Sequence, residues 1–464
     1  MVKYRFERDA LGDVQVHDDV LFGAQTQRAV QNFPISGVRF PPVFISALAQ
    51  VKWCAARINE DLGLLDGARA EAIRRAAAEV VAGRWNDQFP LDVFQTGSGT
   101  STNMNANEVI ARRAQQLLAE HGQTVEVHPN DHVNRSQSSN DVIPTAIYLS
   151  LAQQVSSRLI PSLHHLESSI RVKSERYRDL VKTGRTHLMD ATPIRVGQEI
   201  GAWAHQIGMG ARLVASVLPD SMDLPIGGTA VGTGLNAPPE FGQRMAALLA
   251  ERMDLPFKEA RNHFAAQSSL DAVVAMSGQL KTVASSLFKI ANDMRWLASG
   301  PVAGLGEIEM PPLQPGSSIM PGKVNPVVCE ATIMACVQVM ANDMAIGFAN
   351  SQGSFQLNVM MPLIGHKILE SVDILGNSAT LLADLVIDGM VIRGDRLQHL
   401  VERNPMVVTS LSPVIGYDRA SEIAHRAYRE GLPVKVVAAE MTDLSAAELD
   451  ALLDINRLTG GWDT

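Results

Sequence analysis

The stretch SSLDAVVAMSGQLKTVASSLFKIANDMRWLAS, residues 268–299, holds the most regular helical pattern of the chain and decides its fold class. Its apolar side chains recur at alternating intervals of three and four residues, which places them on one face of an α-helix. No proline interrupts the chain between Phe257 and Gly300, where SGP ends the pattern. The stretch therefore predicts one helix of roughly 45 Å. Its stripe consists of Val273, Met276, Leu280, Val283, Leu287, Ile290, Met294 and Leu297.

Four further segments carry similar, less regular stripes, at about 141–179, 194–218, 327–350 and 362–388. Five long helices with few alternating Val, Ile and Thr residues between them are typical of a helical bundle. We predict an all-α subunit of three domains, with an N-terminal part at 1–138, the bundle at 139–392 and a small helical part at 393–464. Because stripes on several faces of a bundle need partners, we expect a homo-oligomer.

Composition and charge exclude several classes of function. Hydrophobic residues make up 46% of the chain and aromatic residues 5%, which favours a globular helical protein. The net charge is -9 and no Lys/Arg run occurs, so we expect neither a nucleic-acid nor a membrane partner. The three cysteines form no CxxC pair, which is typical of a reducing compartment. Since the N-terminus is charged where a signal peptide is apolar, we expect a cytoplasmic location.

Cofactor signatures are weak in this sequence. The glycine-rich stretches GSGT and GGTAVGTG have neither the GxGxxG nor the GxxxxGK[ST] spacing, which argues against an ATP or NAD site. The twelve histidines form no HExxH motif and no Cys/His cluster, which argues against a metal site. We therefore expect a protein that works without a cofactor.

Four segments are rich in small hydroxyl and amide side chains and precede predicted helices. Helix N-termini and glycine-rich turns present backbone N–H groups that bind anions. Any one of these segments could equally be a cap or a turn. Together they indicate recognition of an oxyanion. They are TGSGTSTNMNANE (96–108), HPNDHVNRSQSSND (128–141), KTGRTHLMDATP (182–193) and PGSSIMPGKVNP (315–326).

The last segment has the composition of a catalytic lid. Its two glycines permit closure, while its three prolines limit the shapes that it samples. Ser317 follows Gly316, in a turn whose N–H groups could hold a serine alkoxide that acts as a base. Lys323 and Asn325 suit the charge that develops on a carboxylate when the neighbouring C–H proton is removed. Alone, Lys323 could also be a solvated loop lysine.

These motifs together resemble the fumarase and aspartase superfamily, and within it the class II fumarate hydratases. The resemblance covers nearly the whole chain, from FGAQTQRAVQNFPISG to LSPVIGYDRASEIA. It implies an all-α, three-domain subunit whose five-helix bundles form the twenty-helix core of a homotetramer. It also implies active sites shared between three subunits and reversible hydration of fumarate, a small dicarboxylate, to L-malate through a carbanion with an aci-carboxylate.

The resemblance also assigns roles to residues. Ser317 matches the base, Lys323 and Asn325 match the groups that bind the carboxylate, and His187 with Glu330 matches the pair that positions or protonates water. His187 could also be a structural histidine, although a carboxylate beside it would favour its protonated form. Further substrate-binding positions are Ser98, Thr100, Ser138, Ser139, Asn140 and Thr186. A possible second anion site comprises His128, Asn130 and Asp131, with no metal at either site.

Two departures from the family pattern leave alternatives open. Val125 and Glu126 stand where fumarases often carry a basic residue before HPND, which weakens the second anion site. QLNVMMP at 356–362 replaces the usual ELNVFKP and indicates either a repacked core or a substituted substrate such as mesaconate. An aspartate ammonia-lyase is disfavoured by His187, where that branch has a glutamine, and by PGKVNP. A catalytically silent structural protein is the alternative of a different class.

Overall fold

The computed structural model describes residues 3–460, and it is predominantly helical. Its short strands form two-stranded pairs and no larger sheet within the described residues. The predicted all-α class is confirmed. The helices are α1 (Ala24–Asn32), α2 (Pro42–Asp61), α3 (Gly67–Val81), α4 (Thr100–Glu120), α5 (Ser139–Gln154), α6 (Ile160–Arg176), α7 (Val196–Val217), α8 (Phe241–Met253), α9 (His263–Ser268), α10 (Asp271–Leu297), α11 (Val327–Asn350), α12 (Met361–Leu382), α13 (Gly394–Glu402), α14 (Ser412–Ile415), α15 (Tyr417–Glu430), α16 (Val434–Met441), α17 (Ala446–Leu452) and α18 (Ile455–Leu458). The strands are β1 (Tyr4–Asp9), β2 (Gly12–His17), β3 (Val181–Thr186), β4 (Met189–Arg195), β5 (Asp223–Leu224), β6 (Lys258–Glu259), β7 (Ile308–Glu309) and β8 (Val391–Ile392).

The five predicted long helices are all present. The pattern at 268–299 forms α10, and every residue of its apolar stripe is buried. The pattern at 141–179 forms α5 and α6, which are joined by the π-helical turn Val155–Leu159. The other three patterns correspond to α7, α11 and α12. The period of the apolar residues therefore located these helices to within a few residues.

The described chain divides into two compact units. The first comprises residues 3–161, 212–284 and 337–376, and the second comprises residues 162–211, 285–336 and 377–460. Long helices such as α10 contribute residues to both units. The three-domain division at 138 and 392 stays a prediction.

The first unit presents two of the polar segments at helix starts. Its helices α2, α3, α4 and α5 bury faces rich in Ala, Val and Ile, whose small or branched side chains permit close packing. Asp66 caps α3 by accepting a hydrogen bond from Arg69 N, which satisfies one free N–H of the first turn. Segment 96–108 leads into α4 and segment 128–141 leads into α5.

The second unit contains the β3–β4 hairpin and a C-terminal helical cluster. The cluster packs around buried residues such as Leu411, Ile423 and Val437. Ser445 caps α17, because its Oγ accepts from Glu448 N at 3.3 Å and the Glu448 carboxylate accepts from Ser445 N at 2.8 Å. This capping box satisfies free N–H groups at the start of the helix.

Helix α11 is apolar on all sides, yet much of its surface is exposed in the single chain. Met334, Val337, Met344 and Phe348 are exposed and lie on one face at helical spacing. Among residues 3–460, α11 is the one helix long and apolar enough to cross a membrane, and 28% of its apolar window is buried. A helix that is apolar all round is normally enclosed on every side. We call this exposed face the α11 stripe.

The buried stripe of α10 gives a test of the fold. We expect Leu280→Ala to lower the free energy of unfolding by about 2–5 kcal/mol, because it leaves a cavity at a fully buried site. Val172→Ala, at an exposed position of α6, should change this free energy by less than about 0.5 kcal/mol. Urea unfolding at a fixed protein concentration measures both. Equal effects of the two substitutions would contradict the assigned burial.

Candidate active site

In the first unit, the loop before α4 brings Ser98 and Thr100 together. Their hydroxyl oxygens are 2.7 Å apart, within hydrogen-bonding distance. Gly99 lies between them with a φ of 72°, a left-handed conformation that favours glycine. A Cβ atom at Gly97 would lie 1.9 Å from the carbonyl oxygen of Val359. The two glycines therefore allow the loop to turn tightly and to rest directly on a neighbouring backbone.

That neighbouring backbone belongs to QLNVMMP, the segment that departs from the family pattern. Met361 is fully buried, and its backbone N–H donates to the carbonyl of Gly97 at 3.1 Å. The buried Asn358 donates through Nδ2 to the carbonyls of Ala349 and Asn350 at the end of α11. The segment thus supports the loop that carries Ser98 and Thr100.

The start of α5 presents the Ser138, Ser139 and Asn140 group. Ser138 Oγ accepts from Asn140 N at 3.2 Å, and Asp141 Oδ1 accepts from Ser138 N at 3.0 Å. Asp141 Oδ2 also accepts the backbone N–H groups of Gly227 and Thr229, at 3.1 and 2.9 Å. Since Asp141 is fully buried, its carboxylate fixes the helix start to the glycine-rich loop.

The same loop holds Asn140, whose Nδ2 donates to the carbonyl of Ala230 at 2.8 Å. GGTAVGTG therefore acts as a support for the α5 start. Ser139 accepts from Asn103 Nδ2 at 3.0 Å. Sequence reasoning missed Asn103, because an asparagine among the polar residues of TGSGTSTNMNANE carries no separate signal.

The predicted second anion site lies on a π-helical turn, Pro129–Val133. His128 Nδ1 accepts from Asp131 N at 3.1 Å and lies 3.2 Å from the Asp131 carboxylate. His128 and Asn130 line a cavity of about 510 Å³. Arg8 and Arg112 also line it, although Arg112 donates to Glu7 at 3.1 Å. Two arginines thus reach this cavity from distant parts of the sequence, although its lining also includes the acidic residues Glu7, Asp9, Glu108 and Glu126.

In the second unit, the lid segment 315–326 is held in a defined shape. Ser317 Oγ accepts the backbone N–H groups of Ile319 and Met320, at 3.2 and 3.0 Å. Gly316 N donates to the carbonyl of Lys323 at 2.9 Å, and Asn325 Nδ2 donates to the carbonyl of Gly316 at 2.5 Å. Backbone donors thus favour negative charge on the Ser317 oxygen, the arrangement that the sequence predicted.

A cavity of about 740 Å³ lies beside the lid and is lined by Lys323, Asn325 and Glu330. Arg295 and Arg393 line it as well, so three basic side chains face one space. Glu309 also lines the cavity, so with Glu330 three basic side chains face two acidic ones, and the small excess of positive charge permits an anion to bind. Neither arginine was predicted, because Arg295 is one of several charges in the last turns of α10 and Arg393 follows a short strand.

Thr186 and His187 lie at the tip of the β3–β4 hairpin, which the sequence did not predict. Thr186 pairs with Met189, and His187 and Leu188 form the two-residue turn between the strands. Both turn residues have positive φ, 56° and 61°, a conformation that is costly for side chains other than glycine and asparagine. The strained turn presents His187 in an exposed position.

Behind this tip, a buried ion network anchors the hairpin. Glu307 is 1% exposed, and its carboxylate lies 2.5 Å from Arg185 Nη2 and 2.8 Å from Lys182 Nζ. Lys182 also pairs with Glu199 of α7 at 2.6 Å. The residue that precedes Thr186 and His187 is therefore fixed by a buried carboxylate.

Within one chain, no hydrogen bond or ion pair joins His187 to Glu330 among residues 3–460. Their predicted pairing stays a prediction, as do the roles of the other candidate residues. The described residues also hold no group of three or more His, Cys, Asp or Glu side chains that could bind a metal ion.

Comparison with known proteins identifies the family. The family described as Lyase matches residues 12–341, and that described as Fumarase C C-terminus matches residues 407–460. The class II fumarate hydratase of Xylella fastidiosa is 51% identical over 99% of this chain and 96% of its own. The chain belongs to the class II fumarate hydratase family. A second relative, fumarate hydratase class II 2 of Pseudomonas aeruginosa, is 50% identical over 99% of this chain and 100% of its own.

Solved structures of the family share the fold. The class II fumarase of Schistosoma mansoni matches with a TM-score of 0.95 at 37% identity, over 98% of this chain and 99% of its own. The fumarate lyase:delta crystallin of Brucella melitensis matches with a TM-score of 0.92 at 41% identity, over 99% and 100%. The resemblance stated from the motifs is confirmed.

The ion network behind the hairpin gives a second test. We expect Glu307→Ala to lower the free energy of unfolding by about 3–5 kcal/mol, because it leaves Arg185 and Lys182 without their buried partner. The exposed Glu309 provides a matched control two residues away, and Glu309→Ala should change this free energy by less than about 0.5 kcal/mol. Urea unfolding measures both, and a small effect of Glu307→Ala would show that the network does not anchor the hairpin.

Proposed function

We propose that this protein is a metal-independent lyase that reversibly hydrates fumarate to L-malate. The observation that carries the proposal is the lid, in which two N–H groups hold the Ser317 oxygen and a hydrogen-bonded clasp links Gly316 to Lys323 and Asn325. The family supports the reaction class, since its members carry the name fumarate hydratase over nearly the whole length of this chain.

In the direction from malate to fumarate, Ser317 as an alkoxide removes the C3 proton. The electron pair of that C–H bond moves onto the adjacent carboxylate and forms the aci-dianion, which Lys323 and Asn325 stabilise. The pair then forms the C2–C3 double bond as hydroxide leaves C2. His187, paired with Glu330, supplies the proton that converts the hydroxide to water. In the reverse direction the same groups add water to fumarate.

The remaining hydroxyl and amide groups bind and orient the substrate. We assign the carboxylates of the dianion to Ser98, Thr100, Ser138, Ser139, Asn140 and Thr186, together with Lys323 and Asn325. A hydroxyl or amide donor fixes an anion without adding a charge that would compete with the base. The cavity lined by His128 and Asn130, with Asp131 beside His128, remains a candidate second anion site.

We further propose that the protein is a homotetramer with active sites shared between three subunits. The α11 stripe supports this, because a second copy of the same apolar face would cover it. Glu330 is exposed in the first turn of α11, on the same face as the stripe. Covering the stripe would therefore bring residues of another copy next to Glu330, and His187 of a partner would be free to pair with it.

The lid gives the decisive test of function. We expect purified protein to consume fumarate without ammonium, with loss of the ultraviolet absorbance of its double bond. Ser317→Ala should lower kcat by at least about 10³-fold, because the base is lost. Ser318→Ala is the matched control, since its neighbouring hydroxyl accepts none of the lid N–H bonds among the described residues, and it should keep most of the activity.

Each alternative function predicts a different change in ultraviolet absorbance. Consumption only with ammonium would identify an aspartate ammonia-lyase, and faster loss of mesaconate would identify a hydratase of substituted fumarates. No consumption of any of these compounds would favour a structural protein. Unchanged kcat in Ser317→Ala would remove Ser317 from the role of base.

The assembly is tested by mass. Four chains of 50.1 kDa give a particle of about 200 kDa, which light scattering coupled to size exclusion measures. Met344→Lys should yield smaller species, because it places a charge on the α11 stripe at a side chain that is 74% exposed in the single chain. Val172→Lys, at an exposed position on α6, should leave the mass unchanged. A monomer in the unmodified protein would contradict the tetramer.

A further inference from the structure

A lysine that the sequence analysis did not select is fully buried beneath the start of α5. Lys52, in the middle of α2, has 0% exposure. Its Nζ donates to Asn134 Oδ1 and to Gln137 Oε1, both at 3.0 Å. Within residues 3–460 it forms no ion pair with a carboxylate at 4.0 Å or less. A buried ammonium held only by neutral amides is unusual, because burial without a counter-ion is costly.

The two amides belong to the segment that joins the π-helical turn to α5. Asn134 Oδ1 also accepts from Asn103 Nδ2 at 3.2 Å, and that same nitrogen donates to Ser139 Oγ at 3.0 Å. An unbroken chain of hydrogen bonds thus runs from Lys52 through Asn134 and Asn103 to Ser139. Because Ser139 stands at the helix start, the ammonium lies behind the donors proposed to bind a carboxylate.

A second residue of α2 holds the same segment. Asn59 lies two helical turns after Lys52 and is also fully buried. Its Nδ2 donates to the carbonyl of Arg135 at 3.0 Å, and its Oδ1 accepts from Ser136 Oγ at 2.9 Å. Ser136 has a φ of 61°, so the segment is held in a conformation that it would not adopt unaided. One face of α2 therefore shapes residues 134–137.

We propose that Lys52 is a positioning residue that supplies a buried positive charge to the anion subsite of Ser138, Ser139 and Asn140. This inference extends the proposed function. It rests on that function for one point, namely that the bound anion is a dicarboxylate. The charge acts through space on the anion and through Asn134 and Asn103 on the orientation of the Ser139 hydroxyl. Lys52 itself does not touch the substrate.

The site is then sensitive to pH near neutrality. Burial lowers the pKa of Lys52 to about 7, and the carboxylate of Asp141 partly opposes this shift. Asp141, at the start of α5, is the charged group of the described residues whose field acts on Lys52. Among the elements that pack on α2, the α4 helix presents the neutral Asn103 to Asn134. The other elements carry charged or titratable side chains such as Arg69 of α3, Arg252 of α8, and Asp131 and His132 of the π-helical turn.

The direction of the pH dependence follows from the charge of Lys52. Below pH 7 Lys52 is an ammonium and attracts the dianion, whereas above pH 7 it becomes a neutral amine. Affinity for a dicarboxylate should therefore fall as the pH rises through 7. A dianion bound nearby favours the ammonium, so binding above pH 7 should be accompanied by proton uptake.

Binding of succinate, a dicarboxylate that has no double bond to hydrate, tests the proposal by calorimetry at pH 6.5 and 8.5. In the unmodified protein we expect the Kd to rise on the order of tenfold between these values. Arg57→Met removes an exposed cation from the same helix and should keep that ratio. Lys52→Met should weaken binding at pH 6.5 and reduce the ratio to about one or two.

Each outcome decides the proposal. A folded Lys52→Met protein with an unchanged ratio would overturn it, since another group would then carry the pH dependence. If Lys52→Met does not fold, Gln137→Leu decides. That change removes one acceptor from the ammonium and should move the midpoint of the affinity change to lower pH, and an unmoved midpoint overturns the proposal.

The same experiment separates this inference from the proposed function. Succinate binding with the expected pH dependence, in a protein that hydrates no fumarate, would retain Lys52 and reject the hydratase. Fumarate hydration together with an unchanged ratio of the two Kd values in Lys52→Met would retain the hydratase and reject the role of Lys52. Absence of succinate binding by the unmodified protein would overturn the role of Lys52 as well as the proposed dicarboxylate site.

Discussion

The first unit depends on the buried carboxylate of Asp141. Its two oxygens accept backbone N–H groups from Ser138, Gly227 and Thr229, and so join a helix start to a loop almost ninety positions later in the chain. Each of these N–H groups would otherwise lose its hydration without a replacement. The bonds fix the direction of α5, the position of Asn140 over the glycine-rich loop and the place of Ser139 above Asn103. These bonds hold the polar residues at the start of α5 in one defined arrangement.

In the second unit, a buried carboxylate likewise fixes the structure around it. Glu307 binds Arg185 and Lys182 beneath a hairpin, and the exposed tip of that hairpin holds His187 in a left-handed turn. In both units a buried charge fixes a segment that then presents a candidate site residue. Preorganisation of this kind is useful for catalysis, because donors that are already aligned need not reorient when charge develops.

The sequence allowed the long helices and the polar segments to be predicted, and the reasons are physical. The stripe of α10 repeats over eight apolar residues, so one face of one helix is the only regular arrangement that buries all of them. The segments 96–108, 128–141 and 315–326 are marked by composition. The hairpin was missed because its turn is His187–Leu188, whereas Asn-Gly is the usual signal for two left-handed residues. Lys52 and Glu307 were missed because a buried charge is recognisable only from its three-dimensional partners. Periodicity alone places Lys52 among the residues of a helix face and says nothing of Asn134 or Gln137.

The α11 stripe has a consequence for the life of a newly made chain. A newly made chain displays this face of a helix that by length and composition resembles a membrane span. In the proposed assembly, association between copies and aggregation would both start from this same exposed surface, and both would accelerate as concentration rises. The yield of the proposed assembly would then depend on the relative rates of specific and non-specific association. Slow expression or prompt capture of the nascent chain by a chaperone would favour the specific outcome, independently of how stable the finished assembly is.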